Sequence, residues 1–135
     1  MNTLITNSAF AMRVEKHPVK LSNLYVFELL PGDAQQVNLD LLHSSLAMIC
    51  SNESGIKSSV ILDCSLLKNN GLIQRFIKLC FKKLVGIDNR KGLDKLVIVT
   101  SSGLVSVMSK SIIKLKKAEQ YSKVCSTMAE ALEEI

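Results

Sequence analysis

Residues able to do chemistry are few in this chain, and they cluster by type. Asp63-Cys64-Ser65 sets a carboxylate, a thiol and a hydroxyl in three consecutive positions. A nucleophilic triad needs an oriented base as well, and no histidine or second carboxylate stands nearby in sequence. His43 falls within a helical pattern and His17 precedes a proline, so neither is assigned to that group. No catalytic residues are therefore expected. Asp63 and Ser65 are expected to hydrogen-bond the loop that follows them.

Two further stretches, Asn69-Asn70-Gly71 and Ser101-Ser102-Gly103, each place small polar residues and a glycine ahead of an apolar run. Asparagine and serine are ordinary helix N-caps, and this plain reading comes first. Free N–H groups and the positive dipole end also suit an anion held by the two stretches together, or a phosphate on Ser65, Ser101 or Ser102, which makes Ser101, Ser102 and Gly103 a candidate anion or phospho site. Neither G-x-x-x-x-G-K-[ST] nor G-x-G-x-x-G occurs. Four cysteines, Cys50, Cys64, Cys80 and Cys125, stand singly among apolar or β-branched neighbours, with no C-x-x-C and no zinc-finger spacing to either histidine. They read as reduced, buried thiols, and no metal or other cofactor is expected.

The elements that must position these residues follow from periodicity. The chain has 135 residues, 47% of them hydrophobic, which suits one domain with its own core. Its apolar runs are far shorter than the ~20 residues of a bilayer span, and the start lacks a secretory pattern. A cytoplasmic location is expected. Met12–Leu21 reads as a weak strand bent near Pro18, and Asn23–Leu30 as a stronger one ended by Pro31-Gly32-Asp33. Leu39, Leu42, Leu46 and Ile49 recur at helical steps within residues 37–51. Residues 59–63 are too short and apolar for anything but a central strand.

Leu72–Val85 forms a second helical pattern, with Arg75, Lys78 and Lys82 opposite its apolar face. Leu93–Thr100 is another buried strand. The next helix is expected to turn Leu104, Met108, Ile112 and Leu115 inward and Lys110, Lys114 and Lys117 outward. A strand at Ser122–Ser126 precedes a last helix, where Thr127 and Glu130 have capping-box spacing. Strands alternating with helices imply parallel crossovers and a covered sheet. An α/β domain over residues 12–135 follows, with a mixed sheet of four or five strands and about four helices. Residues 1–11 are set aside as an N-terminal extension without assigned structure.

Charge is unevenly spread. The formal net charge is +5, yet residues 68–117 carry twelve Lys/Arg against Asp88 and Asp94, while the remainder has five against ten acids. The basic face of Arg75, Lys78, Lys82, Lys110, Lys114 and Lys117 is first a solvated surface, and beyond that suits an acidic protein or an anionic membrane. Nucleic acid is a poor fit, because there is no tryptophan and Tyr25, Phe27, Phe76 and Phe81 sit in core-like patterns.

Four stretches together resemble the STAS domain, the fold of bacterial anti-sigma-factor antagonists, found also on anion transporters and in stressosome components. They are Leu29-Leu30-Pro31-Gly32-Asp33, Val60-Ile61-Leu62-Asp63-Cys64-Ser65, Leu96-Val97-Ile98-Val99 and Val124-Cys125-Ser126-Thr127-Met128-Ala129-Glu130-Ala131-Leu132. The resemblance implies a STAS-like α/β domain and a non-enzymatic regulatory module that binds a protein partner, such as a kinase-type anti-sigma factor. It implies partner contacts at Ser65, Lys68, Asn69, Asn70, Gly71 and Leu72. In the family an acid and a phosphoacceptor serine occupy this loop; here Lys68 and Asn69 stand in their places, and Gly71 matches the family glycine. Asparagine cannot accept the phosphate, so the resemblance implies a surface that phosphate does not switch at that position. A soluble subunit of a membrane transporter or lipid-handling complex is the second expectation, and a small-anion binder the third.

Overall fold

A computed structural model of the chain describes residues 2–16, 22–30, 36–51, 56–66, 92–115 and 117–135. Within them six strands form one mixed sheet: β1 Asn2–Thr6, β2 Phe10–Lys16, β3 Asn23–Leu29, β4 Ser58–Asp63, β5 Leu93–Val99 and β6 Ser122–Cys125. Strand order in the sheet equals order in the chain. The pairs β1–β2 and β2–β3 are antiparallel; β3–β4, β4–β5 and β5–β6 are parallel. Three helices are described: α1 Gln36–Cys50, α2 Gly103–Leu115 and α3 Met128–Glu134. The expected helix at residues 72–85 lies outside the described residues.

Six strands, against the four or five expected, arise because residues 2–6 join the sheet rather than extend from it. Asn7 makes the connection. Its side-chain oxygen accepts from the N–H groups of Ala9 and Phe10 at 2.8 and 3.0 Å, closing the turn that lays β1 against β2. The second strand begins at Phe10, two residues before its expected start. Phe10 is fully buried and its ring lies 6.1 Å from that of Phe27 on β3, so the core draws this end of the strand inward.

Alternation along the strands sorts the core into two layers. Val60, Leu62, Leu96 and Ile98 face one side with Phe10, Met12 and Phe27, where Leu42, Leu46 and Ile49 of α1 and Val105 and Ile113 of α2 cover them. Leu24, Val26, Ile61, Val97 and Val99 face the other, with Ala131 and Ile135 from the α3 end of the chain. All six residues of β4 are buried, as a central parallel strand covered on both faces requires. The side chain of Leu39, expected inward with its α1 neighbours, lies outside the described set.

The inward face of α2 differs from expectation. Val105, Ser109 and Ile113 are buried, whereas Leu104 and Leu115 are 56% and 79% exposed. Met108 and Ile112 sit half-buried at the boundary. Apolar residues ring most of this helix, so periodicity alone favours no single face. The core selects the row at four-residue spacing, and it accepts the small Ser109 there.

The helix ends in a left-handed turn at Lys117 (φ 55°). The N–H of Lys117 donates to the Lys114 carbonyl at 3.1 Å, and that of Ala118 donates to the Ile113 carbonyl at 2.9 Å. This paired closure satisfies two terminal carbonyls and seats Ala118, fully buried, beside the core. On α3 the cap half of the expected box forms, Glu130 N–H donating to Thr127 Oγ1 at 3.2 Å, while the Glu130 carboxylate reaches one residue further back and accepts from Ser126 N–H at 3.2 Å.

Candidate functional site

Parallel pairing brings the carboxyl ends of β4 and β5 side by side. Asp63 is in register with Val99, so Ser65 and Ser101 each stand two positions beyond a matched pair. The ladder runs one residue past the strands, with Cys64 N–H donating to the Val99 carbonyl at 2.8 Å and Thr100 N–H to Cys125 at 3.0 Å. Both loops therefore leave the sheet at the same level, the edge where open α/β sheets place ligands.

Beyond β4 the chain is held by Asp63. One carboxylate oxygen, Oδ1, accepts from the Ser65 backbone N–H at 3.0 Å and from its hydroxyl at 2.6 Å. Asp63 is itself buried, which removes competing water from the pair. Ser65 and Leu66 project outward from this anchor as exposed turn residues. The contact fixes the turn at Ser65 and occupies its hydroxyl proton; the bonds expected from these two residues to the loop that follows fall outside the described residues.

Beyond β5, buried Thr100 plays a similar part that sequence reasoning did not assign. Its Oγ1 accepts from Ser102 N–H at 3.2 Å. Ser102 in turn caps α2: its hydroxyl oxygen accepts from Val105 N–H at 3.3 Å. Ser101 stays exposed, and Gly103 opens the helix with space around its α-carbon. The signal for Thr100 was present in the run Thr100-Ser101-Ser102, where a hydroxyl two residues ahead of an N–H favours a tight local turn.

Strand pairing thus sets the turn that carries Ser65 and the turn that carries Ser101, Ser102 and Gly103 at the ends of adjacent strands. Lys68, Asn69, Asn70, Gly71 and Leu72 lie outside the described residues, as do Arg75, Lys78 and Lys82. Lys110, Lys114 and Lys117 are exposed, but they occupy the far half of α2 and the turn after it, away from these loops. Lys110 and Lys114 border a cleft of about 360 Å³ with Lys123 and Glu119. Lys123 is already paired with Glu134 at 3.0 Å.

Apolar exposure at the loop edge escaped the sequence reading. Leu66 is 46% exposed just after β4, and Leu104 is exposed in the first turn of α2, followed by Val107 three residues on. No periodicity rule separates such residues from core.

Cysteine chemistry is muted by burial. Desolvation pushes the thiols of Cys50 and Cys64 up to about 12, with the Asp63 carboxylate adding to the effect on Cys64. Burial also raises Cys125, helped by Glu134 and Glu130 and opposed by Lys123. Cys80 lies outside the described residues. Among the described residues, no three His, Cys, Asp or Glu gather as a metal site, and no helix is long and apolar enough to cross a membrane.

Set beside known proteins, the chain matches no protein-family model and no curated protein. The fold defines it as an α/β protein with a mixed, sequentially ordered sheet.

Proposed function

We propose that this chain is a non-enzymatic regulatory module that docks a partner protein at the carboxyl edge of β4 and β5, in the manner of the anti-sigma-factor antagonists it resembles. The observation that carries this reading is the anchored pair of loops: Asp63 pins Ser65, Thr100 and Ser102 shape the next loop, and Leu66 and Leu104 stay exposed beside them. Rigid loops bearing exposed apolar side chains lower the ordering cost of association and supply desolvation energy. Partner contact at Lys68–Leu72 comes from the resemblance, as does a surface left unswitched by phosphate because Asn69 stands at the acceptor position.

The test is an affinity capture from extracts of the source cells, using the natural chain and a Leu66→Arg/Leu104→Arg variant. Both side chains are exposed, so the fold should survive. A stoichiometric soluble protein bound by the natural chain and lost by the variant supports the module. A partner held equally by both removes this edge from the interface.

A second reading, a subunit acting at an anionic membrane or membrane complex, is favoured by the cleft that Lys110, Lys114 and Lys123 share. Salt-sensitive binding to phosphatidylserine vesicles, lost in Lys110→Glu/Lys114→Glu, would support it over the first.

A further inference from the structure

At the opposite end of the sheet, a groove of about 620 Å³ opens between β1 and the last turns of α1. This volume lies within the roughly 300–1,000 Å³ of small-molecule sites. Met12 and Tyr25 line it from β2 and β3, and Met48 and Ile49 form the helical wall. The β1 wall is built by an irregularity: pairing with β2 shifts register between Thr3 and Ile5. In a regular strand Leu4 and Ile5 would face opposite sides of the sheet. Here both line the groove. Bulges of this kind at a sheet edge re-aim side chains.

The polar chemistry of the groove narrows its occupant. Four hydroxyl-bearing residues line it, Tyr25, Ser45, Ser51 and Ser58, and the hydroxyl protons of Ser45 and Ser51 are engaged by the carbonyls of Leu41 and Ala47, each at 2.8 Å. What Ser45 and Ser51 have left to offer are lone pairs, which accept from a donor. The same wall is the C-terminal end of α1, the partially negative end of its dipole, and its last turn holds no basic residue. Such a site disfavours a carboxylate or phosphate. An ammonium would find no carboxylate among the described lining residues.

We infer that this groove binds a small uncharged amphiphile, a single aliphatic chain ending in a hydroxyl, with the chain along Leu4, Met12 and Met48 and the hydroxyl donating to Ser45 or Ser51. The site is separate from the docking edge and does not depend on that reading.

The experiment titrates the full chain with 1-decanol and, separately, with decanoate, following displacement of Nile red and the methyl resonances of the methionines. Decanol should bind saturably and shift Met12 and Met48 while leaving Met108 and Met128 in place. Decanoate should bind about ten-fold more weakly. Met48→Arg and Leu4→Arg alter side chains that are 75% and 52% exposed, so the core is spared. Each should weaken decanol about ten-fold, whereas Leu115→Arg on α2 should not. Absence of saturable binding, equal affinity for decanoate, or shifts spread over all methionines would overturn the inference. The methionine readout stands even where a variant fails to fold.

Discussion

Asp63 and Ser65 share a single carboxylate oxygen: Oδ1 receives both the backbone N–H and the hydroxyl of Ser65, at 3.0 and 2.6 Å. The aspartate ends a fully buried strand, and the serine begins the exposed loop. The pair thus transfers the rigidity of the sheet to a surface segment.

Asp63→Ala should therefore destabilise the fold by about 1–3 kcal/mol, the cost of leaving two donors without their acceptor. Asp63→Asn keeps an acceptor oxygen and should lose less. Urea denaturation of the three proteins at neutral pH decides the point. An asparagine variant weaker than the alanine one would contradict the proposed role.

Negative charge should be tolerated differently at the two adjacent loops. Ser65→Asp removes the hydroxyl donor and sets a second carboxylate against Asp63, so a loss of about 1–3 kcal/mol is expected. Ser101→Asp lies in solvent just ahead of α2, where the helix dipole makes it neutral or favourable by about 0.3–1 kcal/mol. Phosphate added to this edge should accordingly reside on Ser101 and not on Ser65, as fragment mass spectra of protein from its own cells can report. Equal stability of the two aspartate variants would refute the argument.

Lys117 closes α2 in the left-handed region, where a side chain costs about 1–2 kcal/mol and glycine is free of that cost. Lys117→Gly should raise stability by about 0.5 kcal/mol, after subtracting the extra entropy glycine gives the unfolded chain. Thermal unfolding provides the measurement, and a lowered midpoint would mean that the lysine side chain makes a compensating contact.

The buried thiols set an alkaline limit. Cys64 keeps its proton up to about 12 when folded, against 9.0 for a free thiol. The unfolded chain releases that proton first, so stability is complete below about pH 9 and falls as pH rises toward 12. Each group of this kind contributes a slope of at most about 1.4 kcal/mol per pH unit across that window. Cys64→Ala should flatten the loss between pH 9 and 10.5 in urea titrations, even though it lowers stability at neutral pH. An unchanged slope would show that Cys64 ionises as readily in the folded state.

Much of the fold was legible because its signals are local. The run Ser59–Asp63 is too short for a helix and too apolar for an edge, and it falls within the buried strand β4, which begins one residue earlier at Ser58. The Thr127–Glu130 spacing gives the helix its cap, since four residues suffice to define it, and the Glu130 carboxylate reaches back to the Ser126 N–H. The added strand β1 was also written in local chemistry, as the β-favouring Thr3-Leu4-Ile5-Thr6 followed by the turn former Asn7. A single short run does not announce its partner, so these residues alone do not declare a place in the sheet.

For the candidate site, the sequence by itself determined the reactive inventory and the order of the elements. Polar residue types follow β5 and β6 directly, as Thr100-Ser101-Ser102 and Ser126-Thr127, and hydrogen bonds across two or three residues are decided by spacing. It also determined the burial of Cys64, through the apolar strand that precedes it. Tertiary structure alone decided which face of α2 enters the core. Leu104, Val107 and Leu115 are as apolar as Val105 and Ile113, and only packing against the sheet distinguishes them. It likewise decided that the ends of β4 and β5 stand side by side, Asp63 opposite Val99, because strand pairing couples residues more than thirty positions apart. Burial is a property of a completed surface, and no local pattern contains the other side of a contact.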